Sequence, residues 1–301
     1  FIFGHLLTSS NYDDSKKRTT GGRNGFGAKL ANIYSKRFIV DCTSTSGNPD
    51  DDKYYHYVQN FTNHMENIEK PVIKELKSGK KSSTMIKLYP DCALFNMEKL
   101  DDDIVSLFKK RVWDMAGVLK SCQVILNGEK IPIKGFDDYC KKYLKDNVDF
   151  ISMDVNDRWK IGVAASYDGF QQVSFVNSVA TTRGGTHVDY VANQITKYVC
   201  SKLDKTKNDT GIKPKLAKES LFVFVNCLIE NPSFDSQTKE TLTLKQSDFG
   251  SKCEIPETFM KKIMKTDIPN LIKEIARNKQ NLTMKKMGGR KTARIHGIEK
   301  L

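Results

Sequence analysis

Residues 19–32, TTGGRNGFGAKLAN, gather four glycines within seven positions, frame them with Arg23 and Lys29, and run straight into an apolar pattern of helical period. Glycine loses more backbone entropy on ordering than any other residue, so it collects where φ must be positive or where a ligand has to touch the main chain. A loop whose N–H groups turn inward and close onto a helix N-terminus offers hydrogen-bond donors and the positive end of a dipole, which suits phosphate oxygens. Gly22, Gly25 and Gly27 space as GxxGxG. This is neither the dinucleotide fingerprint GxGxxG nor a P-loop, because Ala28 follows Gly27 where a P-loop carries Lys-Ser/Thr. By itself the loop fits two roles, a phosphate cradle or a flexible turn between two elements.

The elements that must position this loop are legible from periodicity. After the glycines, AKLANIYSKRFIVDCTS reads as a short helix with Leu30 and Ile33 on one face, then a strand with Phe38, Val40 and Cys42 alternating. Asp50 to Asp52 mark a polar turn and STMIKLYPD a further strand. DDDIVSLFKKRVWDMAG is a helix with carboxylates in its first turn, an apolar face of Ile104, Phe108, Val112 and Met115, and Gly117 past its end. CQVILNGEKIPI is a hairpin around Asn127-Gly128, and a domain boundary is expected beside it. RWKIGVAAS and FQQVSFVNSVAT are strands joined by a turn at Asp168-Gly169. THVDYVANQITKYVCSKL follows as a long helix whose buried stripe is Val188, Val191, Ile195 and Val199. A lysine-rich polar loop, Lys202 to Lys218, broken by Gly211 and Pro214, leads to LFVFVNCLIENP, a central strand by composition.

The chain has 301 residues, 39% hydrophobic and 28% charged, enough for two domains with real cores. A formal charge of +13 favours polyanionic partners, nucleic acid before an acidic membrane. Seven scattered cysteines, none in a CxxC pair, suggest neither zinc nor a disulfide framework and fit a reducing compartment. No apolar run reaches membrane-spanning length, and FIFGHLL lacks the basic flank and the length of a signal peptide. Opening on Phe1 within an apolar run, the sequence reads as a piece of something longer.

The stretch LLTSSNYDDSKKRTTGGRNGFGAKLANIYS closely resembles the ATP-lid region of the type IIA DNA topoisomerases, members of the GHKL ATPase superfamily. RNGFGAK, residues 23–29, resembles the eukaryotic-type branch and differs from the shorter bacterial loop. Further on, GFQQVSFVNSVATTRGGTHVDYV and NPSFDSQTKETL are similar to the transducer domain of the same enzymes, in unbroken order over nearly the whole chain.

The resemblance implies an α+β fold: a partial GHKL (Bergerat) ATPase α/β sandwich over 1–126, a ribosomal-S5-domain-2-like transducer over 127–265, and a helical exit over 266–301. It implies ATP contacts from Ser9, Ser10 and Asn11, from the lid residues Gly22, Arg23, Asn24, Gly25, Phe26, Gly27, Ala28 and Lys29, and from Gln237, Thr238 and Lys239. By the same resemblance Lys239 is expected to be the γ-phosphate sensor, with Gln237 beside it in a catalytic role. Without the resemblance, TSSN reads as a Ser/Asn turn and DSQTKE as a solvated surface turn.

Lys202, Lys205 and Lys207, with Lys213, Lys215 and Lys218, are implied to face double-stranded DNA; the plain alternative is solubilising charge. Magnesium is implied as cofactor, with its asparagine ligand, the general-base glutamate and the adenine-reading aspartate all expected before Phe1. Asp13-Asp14, Asp50 to Asp52 and Asp101 to Asp103 read as a turn, a solvated loop and a helix start, and no metal site is expected in this chain. A metal-binding domain and the cleavage tyrosine are expected after Leu301, so the isolated chain is expected to be inactive, neither hydrolysing ATP, lacking the base and the magnesium ligand, nor cutting DNA. The parent is expected to be a homodimer, nuclear or otherwise intracellular, that passes one duplex through another. A nonhydrolytic nucleotide- or DNA-binding remnant, and a GHKL ATPase of the chaperone or mismatch-repair kind, are the alternatives.

Overall fold

The computed structural model describes residues 1–13, 15–47, 53–76, 81–203 and 212–288. Two compact units emerge: Phe1–Lys16 with Gly22–Phe108, and Lys17–Gly21 with the chain from Lys109 onward.

In the first unit, α1 (Phe26–Ile33) leads into β1 (Ser35–Thr45), β2 (Tyr54–Thr62), β3 (Asn67–Ile68), β4 (Val72–Leu76) and β5 (Ser83–Pro90). The sheet is antiparallel in the order β3-β2-β1-β5, with β4 also paired to β2. The alternation expected in β1 is present: Phe38 and Val40 are buried with Phe61, and Cys42 packs against them. The face of α1 differs from expectation. Lys29 and Asn32 are its buried residues, whereas Leu30 is exposed. Two hydrogen bonds explain the inward turn, from Lys29 Nζ to the Gly25 carbonyl and from Asn32 Nδ2 to the Phe3 carbonyl.

Helix α2 (Asp102–Val118) starts where expected, with the Asp101 carboxylate accepting from the Ile104 amide. It continues through Gly117, which is no stop signal: a Cβ there would lie 2.5 Å from Tyr139 Cγ. The expected stripe fails at Phe108, which is exposed. The buried residues instead cluster at the C-terminal end, Asp114, Ala116, Gly117 and Val118, where Tyr139 Oη donates to the Asp114 carboxylate at 2.5 Å. The two units part inside this helix, so the hairpin at Asn127-Gly128 lies within the second unit.

That hairpin is formed by β6 (Ile125–Leu126) and β7 (Glu129–Lys130), with Asn127 and Gly128 at φ 52° and 86°. Beyond it come α3 (Phe136–Lys141), β8 (Phe150–Asn156), β9 (Trp159–Ala165), β10 (Gln171–Val176), β11 (Val179–Ala180) and β12 (Gly184–Gly185). Then follow α4 (Thr186–Leu203), α5 (Pro214–Lys218), β13 (Leu221–Cys227), β14 (Thr241–Leu242), α6 (Glu257–Ile263) and α7 (Ile268–Gly288).

The main sheet runs β11-β10-β13-β9-β8. Strand β13 sits at its centre, parallel to β10 and antiparallel to β9, so it separates the two strands read as joined at Asp168-Gly169. A parallel pair needs a crossover, and α4 supplies it. Leu221, Val223, Val225 and Cys227 face one core with Val191, Ile195 and Val199 of α4 and with Ile268 and Ile272 of α7. Phe222 and Phe224 face another with Phe136, Tyr139 and Phe175. A strand covered on both faces reads as a continuous apolar run, as this one does. Each fully buried valine of α4 stabilises this packing by roughly 1.5–3 kcal/mol.

The expected polar loop after α4 is partly helical, because Pro214 opens α5 from Lys213 with its φ already set for a first turn.

Candidate nucleotide site

The lid is built from two strips of the first unit that close on each other. Ser9 Oγ donates to the Arg23 carbonyl at 2.5 Å and accepts from the Asn11 amide at 3.1 Å. Asn11 Nδ2 donates to the Gly22 carbonyl at 2.9 Å. Tyr12 Oη donates to the Asn24 carbonyl at 3.2 Å. The carbonyls of Gly22, Arg23 and Asn24 are thus all turned toward residues 9–12. Gly25 caps α1 in the left-handed region, φ 66° and ψ 16°, with no side-chain hydrogen bond to the helix and no acidic residue in its first turn. The first amides of α1 thus keep the donor capacity and positive dipole end that attract an anion. A Cβ added at Gly22 or Gly27 would meet nothing within 4 Å, so the main chain is open at both.

The charged framing divides. Arg23 is exposed, whereas Lys29 is buried with its ammonium 3.2 Å from the Gly25 carbonyl, bracing the lid from beneath. Ser10 is exposed.

In the second unit, Gln237, Thr238 and Lys239 occupy the tip of a hairpin-like loop. Its legs are tied by the Asp235 amide to the Thr241 carbonyl, by the Thr243 amide to the Ser233 carbonyl, and by a bridge between Phe234 and Leu242. β14 then pairs in parallel with β12, and the Arg183 guanidinium sits 2.9 Å from the Glu240 carboxylate. Gly185, at φ 132°, is the close approach in this pair: a Cβ there would lie 2.3 Å from the Leu242 carbonyl oxygen. Gln237 and Thr238 are exposed, with Thr238 Oγ1 2.8 Å from Ser236 Oγ. Lys239 is half-buried with a left-handed backbone, φ 60°, and its Nζ donates to the Gly21 carbonyl at 2.7 Å. Burial pushes the pKa of its ammonium down.

The sequence reading missed Tyr12, Gly185 and the partners of residues 17–21, since none carries a distinctive motif; only the Asn231-Pro232 dipeptide hinted at a turn. Two open cavities of the second unit, about 490 Å³ beside the β6–β7 hairpin and about 470 Å³ beside Ser247 and Glu254, include none of these residues.

The chain as a whole has known counterparts. The family described as DNA gyrase B matches residues 135–294. DNA topoisomerase 2 of Arabidopsis thaliana is 48% identical over 309 residues, covering 100% of this chain and 20% of that protein. DNA topoisomerase 2 of Saccharomyces cerevisiae is 42% identical over 318 residues, 100% of this chain and 22% of that protein. Among solved structures, the ATPase region of Saccharomyces cerevisiae topoisomerase II superposes with a TM-score of 0.81 at 45% identity, covering 91% of this chain and 70% of that one. The chain belongs to the type IIA DNA topoisomerases. The ATPase and transducer domains of Balamuthia mandrillaris DNA topoisomerase II superpose with a TM-score of 0.83 at 42% identity, covering 93% of this chain and 71% of that one.

As a type IIA topoisomerase chain it corresponds to much of the α+β ATPase and transducer region, and it spans about a fifth of the length of the curated relatives it matches. Relatives matched over the whole chain are type II topoisomerases, which disfavours the chaperone and mismatch-repair readings. Among the described residues no three His, Cys, Asp or Glu side chains gather as a metal ion would require. Among the described residues no helix is long and apolar enough to cross a membrane.

Of the lysines expected to face DNA, Lys202 is exposed, with its Nζ 5.1 Å from the Tyr198 ring, and Lys205 and Lys207 lie outside the described residues. Lys213 and Lys215 are exposed. Lys218 lies 2.7 Å from the Asp189 carboxylate and 4.5 Å over the Phe170 ring.

Proposed function

We propose that this chain is the ATP-operated gate of a homodimeric type II DNA topoisomerase, which drives one duplex through a transient break in another. The observation that carries the reading is Lys239, a partly desolvated ammonium at the tip of a loop fixed at both legs. In this reading Ser9, Ser10 and Asn11 meet the nucleotide around its sugar and phosphates. The main-chain amides of Gly22 to Ala28 enclose the phosphate chain, with Arg23 adding charge and Lys29 supporting the loop from inside. Gln237 and Thr238 frame Lys239, whose ammonium meets the terminal phosphate. Such an interaction strengthens as charge builds on the leaving and transferring oxygens, and a buried donor is worth more than one in water. A diphosphate presents no third group, so closure follows ATP and not ADP.

Magnesium belongs to the reading as the ion that accompanies the nucleotide. Lys202, Lys205 and Lys207 are proposed contacts to duplex phosphates, in keeping with the +13 charge, and a DNA substrate places the site of action in the nucleus or elsewhere inside the cell. The test is strand passage by the purified full-length protein. Interlinked circular duplexes are expected to separate with ATP and to stay linked with ADP. Separation at equal rate without nucleotide, or none with ATP, would overturn the proposal.

A further inference from the structure

Residues 17–21 form a strap that lies on the second unit although the chain on either side of it belongs to the first. Lys17 Nζ is 3.3 Å from the Glu230 carboxylate. The Arg18 amide donates to Asn231 Oδ1 at 3.3 Å, and the Asn231 amide returns a bond to the Arg18 carbonyl at 2.9 Å. Asn177 Nδ2 donates to the Thr20 carbonyl at 3.3 Å. Asn177 is itself locked, since its Nδ2 donates to the Ile229 carbonyl and its Oδ1 accepts from the Ile229 amide, each at 2.8 Å. Gly21 packs so closely that a Cβ there would lie 2.5 Å from Val179 Cγ2. Both asparagines have positive φ, 50° and 41°, so each ends its segment with a side chain turned to act as a substitute strand edge.

The strap ends at the carbonyl that receives the Lys239 ammonium. An ammonium has three donors. One is fixed by Gly21, which sets the direction of the other two. We infer that the strap, held by Asn177 and Asn231, is the positioning element for Lys239: it aims the ammonium at a terminal phosphate and, through the Gly21–Gly22 peptide bond, couples that aim to the lid. The inference rests on the ATP reading above. Gly21 is a neutral acceptor and leaves the full positive charge for the phosphate, where a carboxylate would neutralise it. Triphosphate binding then tightens the strap, because the ammonium donates to the Gly21 carbonyl and to the phosphate at once.

The experiment uses the full-length protein in wild-type, Asn231→Gly, Asn231→Asp and Lys239→Ala forms. Glycine tolerates the left-handed backbone and removes the acceptor of the Arg18 amide; aspartate keeps that acceptor. Hydrogen exchange of 17–21 is followed without nucleotide, with ADP and with a nonhydrolysable ATP analogue, beside the affinities of both nucleotides. Without nucleotide, Asn231→Gly and Lys239→Ala are expected to raise strap exchange by about threefold to tenfold, with Asn231→Asp near wild type. In the wild type the analogue slows strap exchange and ADP does not. Asn231→Gly lowers the preference for the analogue over ADP by about threefold to tenfold and leaves ADP affinity unchanged, which general damage to the fold would not do.

Unchanged strap exchange in the nucleotide-free variants, faster exchange with the analogue, or equal weakening of both nucleotides would overturn the inference. Failure of the wild type to bind either nucleotide would instead remove the ATP reading, and the nucleotide-free arm would still decide whether the strap holds Lys239.

Discussion

Replacing Gly185 by alanine should detach the loop that carries Lys239, and the size of the effect follows from the backbone. A Cβ at this position would lie 2.3 Å from the Leu242 carbonyl oxygen and 2.6 Å from its amide nitrogen, atoms that cannot rotate aside. At φ 132° the residue is also strained for any L side chain. The strain costs about 1–3 kcal/mol, and separating β12 from β14 forfeits about two ladder bonds at roughly 0.5–1.5 kcal/mol each, giving about 2–6 kcal/mol in local stability. Gly184→Ala is the internal control. Its φ is 75°, but the nearest atoms are side-chain atoms of Gln172 at 3.5 Å, so only the left-handed penalty of about 1–2 kcal/mol applies. Hydrogen exchange across 233–243 reads the local opening, and ATP turnover of the full-length protein reads the consequence. Gly185→Ala should speed exchange there well beyond Gly184→Ala and depress turnover. Matching behaviour of the two variants would refute the view that β12 braces the loop.

His187 is buried, with Nε2 3.1 Å from Thr181 Oγ1, and burial, against the weaker pull of Asp189, brings its pKa down to about 3 from 6.5. Because the folded state binds this proton less readily than the unfolded one, stability should fall as pH drops below 6.5, by about 3 kcal/mol near pH 4; urea unfolding of His187→Gln should lack that component, and an unchanged pH slope would contradict it. Tyr12→Phe removes the bond to the Asn24 carbonyl and should raise nucleotide release about twofold to tenfold in a stopped-flow chase. Equal release rates would take Tyr12 out of the lid. Changing Lys202, Lys205 and Lys207 to alanine should lower the salt slope of duplex affinity by about 0.9 for every phosphate that these lysines neutralise. An unaltered slope would leave them as solubilising charge.

Local pattern made some elements readable and hid others. Helix α4 was legible to the residue because Val188, Val191, Ile195 and Val199 repeat at helical spacing against a polar opposite face. β13 was legible as central because both of its faces are apolar. The pairing order was not, since nothing in β9 or β10 tells that a strand from beyond α4 will insert between them. Strand β8 escaped because Ser152, Asp154 and Asn156 dilute its apolar positions. α1 misled for a different reason: a lysine and an asparagine turn inward to satisfy carbonyls, and an apolar count favours Leu30. At the site, the glycines announced an open main chain, while the strap bonds of Asn177 and Asn231 join residues far apart in sequence and leave no periodic trace.

The most direct test is the affinity of the full-length protein for a nonhydrolysable ATP analogue and for ADP, in wild type and in Lys239→Ala. A charge-assisted bond from a partly buried ammonium contributes about 1.5–3 kcal/mol. The wild type should therefore prefer the analogue, and Lys239→Ala should cut that preference by roughly tenfold to a hundredfold, with ADP affinity essentially unchanged. Loss of affinity for both nucleotides in equal measure, or an undiminished preference, would contradict the assignment of Lys239 as the group that tells a triphosphate from a diphosphate.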